Sequence, residues 1–139
     1  MGFRKGQVVQ HKKLVFSDNV YDIKIGRPSI VLYVPDNSAL LLTCPLTTKQ
    51  KLNKEGHQIN PLVYESLGNP KKLNFAKIRD INFRLVENII PYDDKRGGFF
   101  TEDLVDYIID RFLRLESLSE EQIAIQELLQ KEKEKKLIK

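Results

Sequence analysis

Cysteine and tryptophan are scarce in this sequence: it has one cysteine, Cys44, and no tryptophan among its 139 residues. A single thiol forms no intramolecular disulfide, which excludes the class of disulfide-rich secreted domains. Cys44 lies in an apolar run, where burial raises the pKa of a thiol and lowers its reactivity. We therefore expect Cys44 to be a buried core residue rather than a catalytic nucleophile.

Long apolar runs are also lacking. No segment approaches the roughly 20 apolar residues that a helix needs to span a bilayer. The first residues, Met1 to Lys5, lead into no apolar signal segment. Together with the single cysteine, this predicts a cytoplasmic protein with no membrane partner.

Motifs for metal and nucleotide binding are absent from the sequence. It contains no HExxH, no cysteine/histidine cluster and no phosphate-binding Walker loop, so we expect no metal and no cofactor. The two histidines, His11 and His57, are a possible acid–base pair for RNA cleavage, but nothing in the sequence brings them together. A solvent-exposed loop position is the simpler interpretation of His57.

Positive charge is concentrated in the first hundred residues. Residues 1–100 carry 16 basic and 9 acidic side chains, a net +7, whereas residues 101–116 carry 2 and 5, a net −3. The last segment, 117–139, has five of each sign. A basic body suggests a polyanionic partner such as nucleic acid, although solubility alone also explains such a charge.

Two β-rich runs, residues 26–34 and 40–48, are separated by a Pro-Asp-Asn-Ser turn and predict an antiparallel hairpin. The start of one strand then lies beside the end of the next. This brings Arg27 and Thr47 to one rim of the sheet. From spacing alone, the favoured interpretation of Arg27 is a strand-end arginine that reaches for a carboxylate, and that of Thr47 is a β-branched residue at a strand end.

The remaining pattern predicts an α+β protein that is mainly β: a small, curled antiparallel sheet of five to seven strands with C-terminal helices packed on it. A half-buried strand or an extended loop is expected over 20–25, strands over 28–34 and 39–46, and a long exposed loop over 48–60. Thr101 should cap a helix whose apolar face spans 104–115. Ser119 with Gln122 resembles a capping box that opens a second helix. The expected division is a domain over 1–116 and a charged helical tail over 117–139.

Four motifs occur in a fixed order along the chain: KGQVV at 5–9, GRPSIVL at 26–32, CPLTT at 44–48 and LNFAKIRDI at 73–81. In that order and rough spacing they resemble the successive signatures of the MazF/PemK family, over residues 5–115. The chain differs from the family pattern by a longer segment over 17–26, an insert around 54–61 and the helical tail.

The resemblance implies a small SH3-like barrel that dimerises, and a toxin that cuts single-stranded RNA at short sequences without a metal. It also implies an acidic antitoxin protein as partner. By position, Arg27 and Thr47 match the family's catalytic pair. Arg27 would stabilise charge on the phosphoryl oxygens, and Thr47 would hold one of these oxygens or relay a proton. The sequence does not identify the general base, for which His11 is one candidate.

In this interpretation basic side chains would line the RNA groove, and Tyr21 would stack on a base. The basic residues are Lys12, Lys13, Lys24, Lys49 and Lys51. The alternative function is a non-catalytic SH3-like module that binds nucleic acid or a protein partner, in which Arg27 serves only the fold. The apolar residues at 89–92 and 104–115 exceed what one sheet face requires, which predicts a homodimer.

Overall fold

Seven strands followed by two helices make up the described part of the chain. The computed structural model describes residues 2–17, 20–36, 39–47, 56–58, 75–91 and 100–138. The strands are β1 (Val8–Ser17), β2 (Val20–Tyr33), β3 (Leu40–Thr47), β4 (Gly56–Gln58), β5 (Phe75–Lys77), β6 (Asn82–Leu85) and β7 (Ile89–Pro91). The helices are α1 (Glu102–Leu113) and α2 (Glu120–Ile138).

All recorded strand pairs are antiparallel, and the order across the sheet is β4-β5-β3-β2-β1-β7. β6 pairs with the first half of β3, and β5 pairs with the last two residues of β3. Both therefore lie on the edge of β3 that is opposite to β2. A 3₁₀ turn, Ile78–Asp80, precedes β6, and a second one, Val86–Asn88, joins β6 to β7. The predicted α+β class with an antiparallel sheet is confirmed.

β2 is one strand of 14 residues, where the sequence predicted two separate segments. β1 pairs with β2 along almost its whole length, from Val8 opposite Ile30 to Ser17 opposite Val20. Because β1 pairs with β2 on both sides of Gly26 and Pro28, β2 stays extended through these two residues, although both residue types usually interrupt a strand. The ladder accommodates them with an irregularity at this point, which is where proline and glycine are tolerated in sheets.

The predicted exposed loop over 48–60 is wrong in part, because Gly56–Gln58 forms β4 and pairs with Phe75–Lys77. His57 is therefore a strand residue. Its backbone partner is Ala76, which comes almost 20 residues later in the chain, and such a long-range pairing leaves no signal in the local sequence. The rest of the predicted loop lies outside the described residues.

One face of the sheet packs against both helices and forms the main core. Val105, Ile108 and Phe112 of α1 are buried, as the helical spacing predicted. From α2, Ile125 and Leu129 join the same core, so this helix is packed on the domain. The strand residues in this cluster are Val8, Ile30, Leu32, Leu42, Cys44, Leu46 and Ala76.

Both predicted helix starts are confirmed. Thr101 accepts a hydrogen bond from the backbone N–H of Leu104 through its hydroxyl oxygen at 3.3 Å. Ser119 and Gln122 form a reciprocal capping box: the Gln122 N–H donates to Ser119 Oγ at 3.2 Å, and the Ser119 N–H donates to Gln122 Oε1 at 3.3 Å. These bonds satisfy donors that a helix otherwise leaves unpaired.

The Lys-Gly pair of the first motif joins the sheet to α1. Gly6 has φ +89°, and its carbonyl oxygen accepts a hydrogen bond from the N–H of Phe100 at 2.8 Å. Lys5 Nζ lies 2.8 Å from a carboxylate oxygen of Asp106. Burial lowers the pKa of Lys5, but the hydrogen bond to Asp106 and the charges of Asp106 and Glu102 outweigh it and raise the pKa. This motif therefore has a structural role.

Candidate active site

The face of the sheet opposite the helices combines a small apolar cluster with a polar groove. Val9, Val31, Leu41 and Ile89 are buried together there. Beside them lies an open cavity of about 510 Å³, lined by Val9, His11, Ser29, Thr43, Pro45, Arg84 and Ile89. The strand pairing explains this composition, because Val9, Ser29 and Pro45 are direct cross-strand partners on adjacent strands and so share one face.

A bulge in β2 lies at the edge of this groove. Gln10 pairs with Pro28 and Lys12 pairs with Ile25, so the single residue His11 of β1 faces two residues of β2, Gly26 and Arg27. Such a bulge bends the strand and changes the direction of its side chains, and bulges are frequent next to active sites. His11 and the backbone of Arg27 are thereby neighbours across the ladder.

The ladder between β2 and β3 approaches Arg27 and Thr47 without reaching them. Its recorded pairs end with Ser29 opposite Pro45, two residues before each of them. The proximity of Arg27 and Thr47 therefore stays a prediction. On its other edge, Thr47 pairs with Phe75 of β5.

The predicted RNA-binding residues fall into three groups. By strand alternation, Lys13 has a register position on the face of His11, and Lys24 is its direct partner on β2. Lys12, opposite Ile25, and Tyr21, opposite Phe16, have positions on the other face. Lys49 and Lys51 lie outside the described residues.

The residues that line the groove differ in their exposure to solvent. Thr43 is the buried polar residue of the described chain, with 3% of its surface exposed. Arg84 is exposed, so its guanidinium is accessible to a ligand. The groove therefore offers hydroxyl groups at its floor and a permanent cation at its rim. Guanidinium and hydroxyl donors of this kind suit an anionic oxygen.

Cys44 is on the opposite face, in the main core, and is fully buried as predicted. Burial, and to a smaller extent the charge of Asp80, raises the pKa of its thiol well above the usual range. Cys44 thus takes no part in the groove chemistry. Within the described ranges, no three His, Cys, Asp or Glu side chains cluster as metal ligands would.

Sequence reasoning missed Ser29, Thr43 and Arg84 as groove residues. A signal was present in β3: the alternate positions Leu42, Cys44 and Leu46 are all apolar, whereas the positions between them are mixed, with Leu41 and Pro45 apolar and Thr43 polar. That alternation marks a strand between a core and a second, wetter face. Arg84 had no comparable signal, because only the pairing of β6 with β3 brings it to the groove.

Comparisons with known proteins add no family assignment: no protein-family model matches this chain, and a search of curated proteins finds no match. The resemblance to the MazF/PemK family therefore depends on the four motifs and their order. No helix in the described residues has the length and apolar character needed to cross a membrane.

Proposed function

We propose that this protein is a metal-independent endoribonuclease that cuts single-stranded RNA in the cytoplasm, as the toxin of a toxin–antitoxin pair. The observation that carries the proposal is the bulge in β2, at which His11 faces Gly26 and Arg27 beside a polar groove. The ladder between β2 and β3 supports the same site, because it would bring Arg27 beside Thr47 if it continued two residues past Ser29 and Pro45. The order of the four motifs supports the toxin assignment.

The strand order supports an SH3-like barrel as the fold behind this site. Five strands follow the path β7-β1-β2-β3-β6, and the two at its ends are consecutive in the chain, joined by the 3₁₀ turn Val86–Asn88. The chain thus returns from one end of the path to the other within three residues. No backbone pairing between β6 and β7 is recorded in the described part, so the sheet itself is open there and the two ends of the path are joined only by this covalent link.

The proposed reaction is an internal transesterification. The ribose 2′-oxygen attacks the adjacent phosphorus, the bond from phosphorus to the 5′-oxygen breaks, and the products carry a 2′,3′-cyclic phosphate and a 5′-hydroxyl. His11 accepts the 2′-hydroxyl proton, and the leaving 5′-oxygen takes a proton from the resulting imidazolium or from water. Arg27 and Thr47 stabilise the charge that develops on the phosphoryl oxygens.

Arginine is assigned to charge stabilisation because its pKa above about 12 makes it a poor base. Lys13 and Lys24, as direct cross-strand partners, are the candidates to hold backbone phosphates along the strand. Like charges at paired positions are unfavourable unless an anion lies between them. An acidic antitoxin segment would compete for the same cations.

The decisive experiment is to incubate the purified protein with unstructured single-stranded RNA in the presence of EDTA. We expect cleavage at short sequences, with a 2′,3′-cyclic phosphate on one product and a 5′-hydroxyl on the other, detected by mass spectrometry. EDTA should not reduce the rate, because no step needs a divalent cation.

The outcome that would contradict the proposal is intact RNA after prolonged incubation with well-folded protein. RNA bound tightly but not cut would instead favour the alternative, a non-catalytic module of the same fold. Cleavage that EDTA abolishes would exclude the metal-independent mechanism.

A further inference from the structure

A second pocket continues the groove towards α2. Its cavity of about 360 Å³ is lined by Pro45, Lys77, Arg79, Asp80, Ile81, Asn82, Arg84 and Gln122. Pro45 and Arg84 line both cavities. A ligand that occupies the groove therefore has a continuous surface leading past β6 and the turn Ile78–Asp80 to the first turn of α2.

This second pocket is basic. Three of its lining residues are cationic and one is a carboxylate, a net charge of +2. The carboxylate of Asp80 lies 3.0 Å from Lys77 Nζ, so this pair is mutually compensated. Arg84 forms no ion pair within the described residues and is exposed. The charge that remains for a ligand is therefore that of Arg84.

α2 forms one wall of the pocket and holds it in place. Gln122 Nε2 donates a hydrogen bond to the carbonyl oxygen of Arg79, while its Oε1 accepts from Ser119 in the capping box. From the other side, Arg79 Nη2 donates to the carbonyl oxygen of Glu116 at 3.3 Å. The turn that carries Arg79 is thus hydrogen-bonded both to the connection between the two helices, at Glu116, and to the first turn of α2, at Gln122.

We infer that this pocket is a phosphate subsite for the RNA strand, adjacent to the cleavage site, and that Gln122 is its positioning residue. The inference rests on the proposed function, because its ligand is the same RNA. A backbone phosphate next to the one being cut would contact Arg84, whose planar guanidinium offers two parallel donors to phosphate oxygens. The C-terminal helix, an addition to the family pattern, then takes part in substrate binding.

The test measures binding separately from cleavage. A fluorescent single-stranded RNA with 2′-O-methyl groups throughout cannot be cut, because the attacking hydroxyl is blocked, and its dissociation constant is measured by anisotropy over a range of salt. Arg84→Gln should weaken binding on the order of tenfold. It should also reduce the slope of log affinity against log salt by about 0.7, the value for one phosphate contact on a single strand.

Gln122→Glu is the more specific variant, because Gln122 lines the second pocket and not the groove. Glutamate retains the capping box but cannot donate to the carbonyl oxygen of Arg79 and places a negative charge at the pocket wall, so affinity should fall roughly fivefold. Each variant has a matched control at an exposed position of α2. Lys131→Gln controls for the loss of a cation in Arg84→Gln, and Gln130→Glu repeats the Gln122→Glu substitution away from the pocket. Neither control should change affinity by more than twofold or alter the slope.

If both pocket variants bind like their controls while the wild-type protein binds and cuts RNA, the subsite is wrong and the proposed function stands. If the variants weaken binding as expected but unmodified RNA is never cut, the subsite stands and the catalytic proposal fails. Absence of any RNA binding by the wild-type protein overturns both.

Discussion

Gly6 packs so closely against Phe100 that a Cβ atom added to the glycine would lie 2.7 Å from the Phe100 carbonyl oxygen. The same two residues share the backbone hydrogen bond that connects the start of β1 to the entry of α1. The contact thus fixes the sheet to its helical layer. Substitution of Gly6 tests how much of the fold depends on it.

Gly6→Ala should lower the free energy of unfolding by about 2–4 kcal/mol. The alanine would have to adopt a left-handed φ, which costs about 1–2 kcal/mol, and its Cβ would displace the backbone of Phe100. Urea denaturation followed by circular dichroism measures the change. Gly2→Ala is the matched control, since nothing lies within 4 Å of a Cβ there. Equal stability of the two variants would contradict the prediction.

The Cys44 thiol should resist modification in the folded protein. Burial raises its pKa, so the thiolate is scarce at neutral pH and the sulfur is inaccessible. With a thiol-reactive chromogenic reagent at pH 8, we expect no reaction of the native protein and one equivalent after denaturation. Because the raised pKa applies only to the folded state, this group should cost stability as the pH rises above about 8.5, the usual thiol value. Rapid native labelling would contradict the burial.

Arg27→Ala should abolish RNA cleavage and leave the unfolding free energy nearly unchanged, because a residue at a bulge near the sheet rim supports little of the core. Thr47→Ala should reduce the rate by about 10²–10³-fold, the usual loss for one donor to a developing oxyanion. Rates are measured on a fluorogenic single-stranded RNA. Arg114→Ala, an exposed arginine after α1, is the control. Normal cleavage by the Arg27 variant would refute the assignment.

His11→Gln should reduce the cleavage rate by about 10²–10⁴-fold, the range for loss of a general acid–base group. Its affinity for 2′-O-methyl RNA should stay within threefold of the wild type, which separates a chemical role from a binding role. His57→Gln, at the other histidine, should cut RNA normally. Loss of affinity equal to the loss of rate would make His11 a binding residue instead.

A homodimer is expected at micromolar concentration, measured by sedimentation velocity. The apolar face of α1 is buried within the monomer, so that part of the sequence argument no longer supports a dimer. The remaining support is the apolar surface still exposed, with Leu85 at 43% and Tyr107 at 47%. Leu85→Lys should shift the protein towards monomer. A wild-type monomer at this concentration would contradict the expectation.

Local sequence determined the features that depend on local geometry. The hairpin of β2 and β3, the caps at Thr101 and Ser119, the buried Cys44 and the apolar face of α1 all followed from residue periodicity or from side chains that bond within one turn.

Tertiary structure decided what depends on pairing between distant segments. β4 exists because Gly56–Gln58 meets β5, and Arg84 reaches the groove because β6 pairs with β3. His11 lies opposite Arg27 because β2 has one residue more than β1 between the paired positions on either side of the bulge. The sequence of either strand alone does not determine where such a bulge forms. A strand's sequence sets which residues share a face, but its partner sets the register, and the candidate site depends on the register.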